Sequence, residues 1–173
     1  KDKVILVTGG TGSFGKTITQ HLLEFDPKQV IIFSRTEDKQ VNMMREYHNN
    51  KKLRFHLGDV RDIDSLRRVF DGVDYVFHAA AQKQVPLTEY NVLEAVKTNV
   101  LGAQNVVDVC MQSGVKKAIA ISTDKAAEPI NAMGMTKALQ EKLFIQANTN
   151  QPDKKVIFSC VRYGNVVGST GSV

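Results

Sequence analysis

The sequence predicts an α/β protein in which helices cover both faces of a doubly wound parallel sheet. Short apolar runs alternate with longer amphipathic stretches along the whole chain: KVILVT, QVIIFS, LRFHLG, DYVFHA, KAIAIS and KVIFSCVRYG are the apolar members, and periodic segments begin near Ser13, Thr36, Asp62, Thr88 and Asn131. That alternation implies crossover connections, because parallel neighbours cannot be joined by a hairpin turn. No repeat, low-complexity tract or linker interrupts it. With 173 residues and 42% hydrophobic content, the chain has room for one domain with a sizeable core.

Each element carries a local reason. The first strand runs into TGGTGSFGK, where Gly9, Gly12 and Gly15 recur at three-residue spacing as a helix begins at Ser13. Glycine allows the tight turn and lets main chain approach a pyrophosphate, whose charge then sits at a helix N-terminus. In this strand, turn and helix context the pattern reads as a Rossmann-like dinucleotide site, with Thr11, Ser13 and Phe14 in the same loop. The second strand ends in Ser34 and Arg35, with Lys39 a turn later. A carboxylate at that tip would hold the ribose hydroxyls of NAD, whereas arginine accommodates the extra phosphate of NADP. Glu37 and Asp38 come later, inside the next helix, so NADP is the expected cofactor. The third strand leads to GDVRD, which places Asp59 and Val60 where adenine would lie and Asp62 at a helix start. The fourth strand ends in HAAA, where Ala79, Ala80 and Ala81 after His78 are expected to border the cofactor, and Thr88 after Pro86 reads as another helix start. The fifth strand leads into Thr123, Asp124 and Lys125, and Asn131 opens a helix carrying Met133 and Lys137 on one face. After the sixth strand, GNVVGSTGSV ends in small and polar residues, as if entering a loop, so the chain is expected to be one part of a longer protein.

Bulk properties narrow the function. The net charge of +5 is spread over short pairs such as Lys51-Lys52 and Lys116-Lys117, which read as solvated loop charges rather than a nucleic-acid track. No partner nucleic acid is expected; small polyanions such as nucleotides suit the charge. Cys110 and Cys160 have neither metal-ligand spacing nor a disulfide framework, which points to packing roles in a reducing compartment. No run approaches the length of a membrane span. The first strand begins almost at Lys1, so a cytoplasmic protein without a signal peptide is expected, although Lys1 is not a natural start.

Together the glycine loop, HAAAQKQVPLTEYN, KTNVLGAQNV, STDKA, PINAMGMTKALQEKLF and RYGNVVGSTGSV resemble the extended short-chain dehydrogenase/reductases. The narrower motifs resemble the inverting UDP-N-acetylglucosamine 4,6-dehydratases of surface-polysaccharide synthesis, and the capsule-synthesis type in particular. The resemblance covers nearly the whole chain, and it implies an NADP-binding domain over 1–173 with the substrate domain lying beyond this chain. It also implies an intact enzyme that is a homo-oligomer acting on a UDP-sugar. The implied reaction has three steps: hydride from carbon 4 to NADP, loss of water between carbons 5 and 6, and return of hydride to carbon 6 with inversion at carbon 5.

The resemblance assigns roles residue by residue. Lys125 would move the proton on carbon 5, Asp124 would protonate the departing hydroxyl, Thr123 would hydrogen-bond near carbon 4, and Lys137 would hold the nicotinamide ribose. Lys83 would face both cofactor and substrate, and Asn165 the substrate. One departure stands out: Met133 occupies the tyrosine position of the family's Tyr-x-x-x-Lys pair. Elimination needs an acid and a base, and a lysine that starts near pKa ~10.4 must fall to about 7 to 8 to act as the base. Neighbours in a regular strand face opposite ways, so Asp124 and Lys125 can act together only where the strand has opened. A catalytically silent NADP-responsive module and a sugar-nucleotide 4-epimerase are the rival readings, and the retained acid and base weigh against both.

Overall fold

Six strands, β1 (Val4–Thr8), β2 (Gln29–Ser34), β3 (Leu53–Leu57), β4 (Tyr75–His78), β5 (Lys117–Thr123) and β6 (Ile157–Tyr163), pair in parallel in the order β3-β2-β1-β4-β5-β6. The computed structural model describes residues 1–151, 153 and 155–166, and the glycine-rich end at 167–173 lies outside them. The strand order reverses between β1 and β4. Chain leaving β1 turns one way and chain leaving β4 the other, which opens a crevice at the carboxyl ends of the strands.

Helices α1 (Ser13–Glu24) and α2 (Glu37–Glu46) cover one face, closing Ile18, Leu22 and Met43 over Ile5, Val7, Val30 and Ile32. On the other face lie α3 (Ile63–Arg67), α6 (Gly102–Gln112) and α7 (Ala132–Ala147), which bury Leu66, Val106, Val109 and Phe144 against Leu6, Val76, Ala118 and Phe158. Strands covered on both faces read as unbroken apolar runs, the pattern seen in the sequence. Phe144 is fully buried between His78 and Phe158, stacked on the first and edge-on to the second. Each such ring contributes about 1.5–3 kcal/mol by leaving water.

Two expected helix starts are capped as their side chains suggest. Asp62 accepts from the amides of Asp64 (3.0 Å) and Ser65 (3.2 Å), and Asn131 accepts from Gly134 (2.8 Å). Thr88 is a correction. Helix α4 (Val85–Tyr90) begins three residues earlier with Pro86 in its first turn, and the Thr88 hydroxyl donates back to the Val85 carbonyl at 2.9 Å. Proline fits a first turn, where its missing N–H has no partner to lose, so it belongs inside the helix rather than ahead of it. The single helix expected beyond it is broken as well. It divides into α4, α5 (Val92–Ala95), a π-helical segment (Val96–Leu101) and α6.

Candidate active site and cofactor cleft

Gly9 adopts a left-handed φ of 66°, and a Cβ there would lie 2.7 Å from the Ala80 nitrogen. The loop after β1 therefore needs glycine for both conformation and clearance. At Gly15 a Cβ would meet the Gly10 carbonyl oxygen at 2.3 Å, so this residue lets α1 pack onto the turn. The crevice they open is lined by the loops after β1, β2, β3 and β4. Ala79, Ala80 and Ala81 form its wall after β4, and their small side chains leave the space open. Of the cofactor residues expected from sequence, all but Phe14, Gly15 and Lys137 line it. The Phe14 ring turns away, stacking on Tyr163 and tilting against Phe77, each at 6.5 Å between centroids.

At the β2 tip the cleft presents Ser34, Arg35 and Lys39, and Lys16 and Asn42 join them. Among the described residues no carboxylate lines the cleft at that tip. Asp59 at the end of β3 is occupied: Arg61 holds it at 2.7 Å and Arg35 at 3.6 Å. Burial raises the Asp59 pKa, but its bonds to Arg61, helped by Arg35, outweigh that and hold it below the usual carboxylate range. Buried Gln40 fixes the neighbouring strand ends, donating to the Ser34 carbonyl (3.1 Å), the Ser34 hydroxyl (3.0 Å) and the His56 carbonyl (2.7 Å). This donor set, the glycine clearances and the helix N-terminus fit a dinucleotide.

Two residues here escaped sequence reasoning. Thr98 is buried at the cleft wall, and its hydroxyl has no hydrogen-bond partner among the described residues, which suits a polar ligand atom. Asn99, wholly buried, accepts from the Gln82 amide (2.8 Å) and donates to the Gln82 carbonyl (2.9 Å) and the Thr136 hydroxyl (3.0 Å). It thereby fastens the cleft loop to α7. Both sit in the π-helical segment, where the widened turn re-aims side chains and commonly marks function.

None of the candidates for chemistry is among the residues that line the cleft; they gather where β5 and β6 end. β5 ends at Thr123, and Asp124–Ala126 forms a 3₁₀ turn, so the strand has opened at the acid and base. Asp124 Oδ1 accepts from the Thr123 hydroxyl (2.9 Å), the Lys125 amide (2.8 Å) and Lys125 Nζ (3.2 Å). Lys125 Nζ also donates to Asn165 Oδ1 at 3.0 Å, across from the end of β6. The Thr123 hydroxyl, followed by Lys125, holds the Asp124 carboxyl below its ordinary range. Asp124 therefore stands as a carboxylate beside Lys125 Nζ.

α7 brings Met133 and Lys137 to this turn, and both are buried. Lys137 points inward: Nζ donates to the Ile121 carbonyl (2.5 Å) and to Gln140 Oε1. Burial pushes its pKa down to about 8. His78 lies nearby, its Nδ1 2.8 Å from the Thr8 hydroxyl, and burial with the facing Lys137 drives its pKa to about 3. The imidazole is neutral. A second network, in which Glu141 is gripped by Arg162 (2.6 and 2.8 Å) and Ser122 (2.5 Å), ties α7 to β5 and β6.

Residues 5–173 match the family model described as "Polysaccharide biosynthesis protein". The chain belongs to this family. Within it, the chain is 54% identical over 172 residues to the UDP-N-acetylglucosamine 4,6-dehydratase (inverting) of Campylobacter jejuni serotype O:23/36, covering 99% of this chain and 51% of that protein. It is also 50% identical over 176 residues to a UDP-glucose 4-epimerase of Rickettsia prowazekii, again 99% of this chain and 51% of the relative. Among solved structures, Pen from Bacillus thuringiensis superposes with a TM-score of 0.98 at 41% identity, over 100% of this chain and 55% of that one. The Thermotoga maritima UDP-glucose 4-epimerase with UDP-glucose gives 0.83 at 27%, over 95% and 56%. This polysaccharide biosynthesis domain is thus an extended short-chain dehydrogenase/reductase of the sugar-nucleotide dehydratase and epimerase group. It spans about half the length of the curated relatives it matches. Among the described residues no helix is long and apolar enough to cross a membrane.

Proposed function

We propose that this domain is the NADP-binding half of an inverting UDP-N-acetylglucosamine 4,6-dehydratase, whose other half supplies most of the sugar site. The observation that carries the reading is the array Thr123, Asp124, Lys125 and Asn165, hydrogen-bonded where β5 and β6 end. Elimination of water needs an acid and a base a few ångströms apart, and an epimerase needs no such pair.

When bound, the nicotinamide would accept hydride from carbon 4 and return it to carbon 6. The chain's own residues do the rest. Arg35 and Lys39 receive the 2′-phosphate, the α1 N-terminus the pyrophosphate, and Phe14 contributes through its main chain alone. Lys83 at the cleft mouth faces the substrate diphosphate, and Asn165 holds the Lys125 ammonium. A single proton belongs to the Asp124 and Lys125 pair. It must pass from Nζ to Oδ1, 3.2 Å away, before the elimination. The neutral amine then takes the proton from carbon 5, and Asp124, now protonated, gives its own to the hydroxyl leaving carbon 6, which departs as water. Return of hydride to carbon 6 is matched by a solvent proton added to carbon 5 on the face opposite Lys125, which replaces the 4-hydroxyl proton released to solvent with the first hydride, so the pair ends in its resting ionisation. The resting ionisation is the reverse of the active one, so the second half of the site must reduce solvation around the pair.

Mass spectrometry of products from the intact protein and UDP-N-acetylglucosamine tests the proposal. A product lighter by one water, carrying deuterium at carbon 5 when made in heavy water, is expected. The epimerase reading, favoured by the 50% identity to the Rickettsia prowazekii protein, predicts an isomer of unchanged mass.

A further inference from the structure

Gln140 lies one helical turn beyond Lys137 and is wholly buried. A glutamine read from sequence alone at such a position would be taken for a solvated residue of an amphipathic helix. Its orientation has one explanation. The Oε1 atom accepts from Lys137 Nζ, while Nε2 has no partner among the described residues. Turning the amide over would set a donor against an ammonium, so the lysine dictates which end faces it. Leaving a buried amide N–H unpaired costs about 1–3 kcal/mol, a penalty accepted only where the carbonyl is needed. With Ile121 supplying a second carbonyl at 2.5 Å, two of the three ammonium hydrogens are fixed and one remains for a ligand oxygen.

We propose that Gln140 is a positioning residue for Lys137, its side-chain carbonyl anchoring the ammonium at the end of β5 and favouring the charged form that a cofactor hydroxyl can meet. The inference rests on the reading of Lys137 as the lysine of the nicotinamide ribose, and it deepens that reading. In Tyr-x-x-x-Lys enzymes the lysine has a phenol for a neighbour; here Met133 stands at that position, and the polar contacts of Nζ among the described residues are with Gln140 and the Ile121 carbonyl. Cys160 on β6 and Glu141 on α7 also favour the charged form of the lysine, but among the described residues no titratable side chain hydrogen-bonds Nζ, as Gln140 does. His78 on β4 is neutral, and Cys160 on β6, with its pKa pushed up to about 11, stays a thiol. Glu141 on α7 is committed to Arg162 and Ser122, Cys110 on α6 is buried with its pKa raised, and Glu89 on α4 caps the Ala132 amide at 2.6 Å. Asp124 and Lys125 on the adjoining turn are paired with each other.

The test compares wild type, Gln140→Met, Gln140→Glu and Lys137→Met in two measurements. One is the pH titration of the Lys137 ε-methylene by carbon-13 NMR in the cofactor-free protein. The other is calorimetric NADP affinity over the same range, from about pH 6 to 11. Wild type is expected to titrate near 8, with affinity falling above that point. Gln140→Met, which keeps the volume and removes the acceptor, moves both midpoints down, and Gln140→Glu moves both up. Each whole pH step of displacement changes the affinity at a fixed alkaline pH about tenfold. A buried residue with only a packing role would alter melting temperature without moving the midpoints in opposite directions. Midpoints unmoved in both Gln140 variants, with the alkaline limb abolished by Lys137→Met, overturn the proposal and leave the lysine's role intact. Affinity and limb unchanged in Lys137→Met overturn both. Should Gln140→Met fail to fold, Gln140→Glu decides alone: an upward shift is expected, and no shift refutes the role.

Discussion

The Cβ that Gly134 lacks would stand 2.4 Å from the main-chain oxygen of Lys125. The first turn of α7 is thus pressed against the turn that carries the acid and the base, and the side chain of its cap, Asn131, lies 3.3 Å from the same imagined atom. Propensity alone would have Gly134→Ala stabilise the helix by about 1 kcal/mol. The close approach reverses the sign, because a main-chain oxygen cannot step aside as a flexible side chain would. Gly134→Ala should lower stability by about 1–3 kcal/mol in denaturant titrations and displace Lys125, reducing kcat of the intact protein with little change in NADP affinity. A variant more stable than wild type would show that the turn yields.

Such contacts mark the boundary of what the sequence could reveal. The strand and helix alternation, the glycine turn, the cap at Asp62 and the opening of β5 at Asp124 are local consequences of spacing, and each was legible. Thr98, Asn99 and Gln140 were not. They are polar residues within helical stretches, and their meaning lies in partners such as Gln82 and Thr136, or in the burial of Lys137, which its place in the sequence does not show. The π-helical turn that aims Thr98 and Asn99 shifts the periodicity by one residue and leaves no compositional trace. Phe14 is expected from its place in the glycine loop to border the cofactor, but its ring belongs to an aromatic cluster with Phe77 and Tyr163.

Arg35 is half exposed, 3.6 Å from Asp59, and Asp59 is claimed more tightly by Arg61. The guanidinium is therefore available to a 2′-phosphate at little cost. NADP should bind the domain more tightly than NAD, and Arg35→Asp should shrink or reverse the difference while repelling the phosphate. Calorimetric titrations with the two cofactors check this, and equal affinities in the wild-type protein would count against a phosphate pocket at the β2 tip.

Burial of Lys137 also leaves a signature in stability. Its pKa is about 8 folded and near 10.5 unfolded, so between those values the unfolded chain binds more protons and stability rises with pH. This is the reverse of a lysine that gains a carboxylate partner. The slope contributed is at most about 1.4 kcal/mol per pH unit. Cys160, raised from 9.0 to about 11, acts oppositely above pH 9, so the quantity to measure is the difference between wild type and Lys137→Met in denaturant melts. That difference should move in favour of wild type from pH 8 to 10. A pH-independent difference would mean that the ammonium is solvated in the folded state.

Met133 is buried in the first turn of α7, and a thioether can neither take a proton from a sugar hydroxyl nor return one. Loss of a positioned general base slows a step by about 10² to 10⁴ without forbidding it, since orientation beside the nicotinamide survives. Lys125, anchored on Asn165 at 3.0 Å and on Asp124 at 3.2 Å, is the base the chain retains. The intact protein is therefore expected to be active with methionine in place. Lys125→Ala should lower kcat by about 10² or more, and Met133→Ala by under about tenfold. Single-turnover mixing with UDP-N-acetylglucosamine, followed by the absorbance of reduced cofactor, separates the outcomes. If neither product nor reduced cofactor appears in the wild-type protein, the domain is a cofactor-responsive module, and the paired Asp124 and Lys125 serve structure alone.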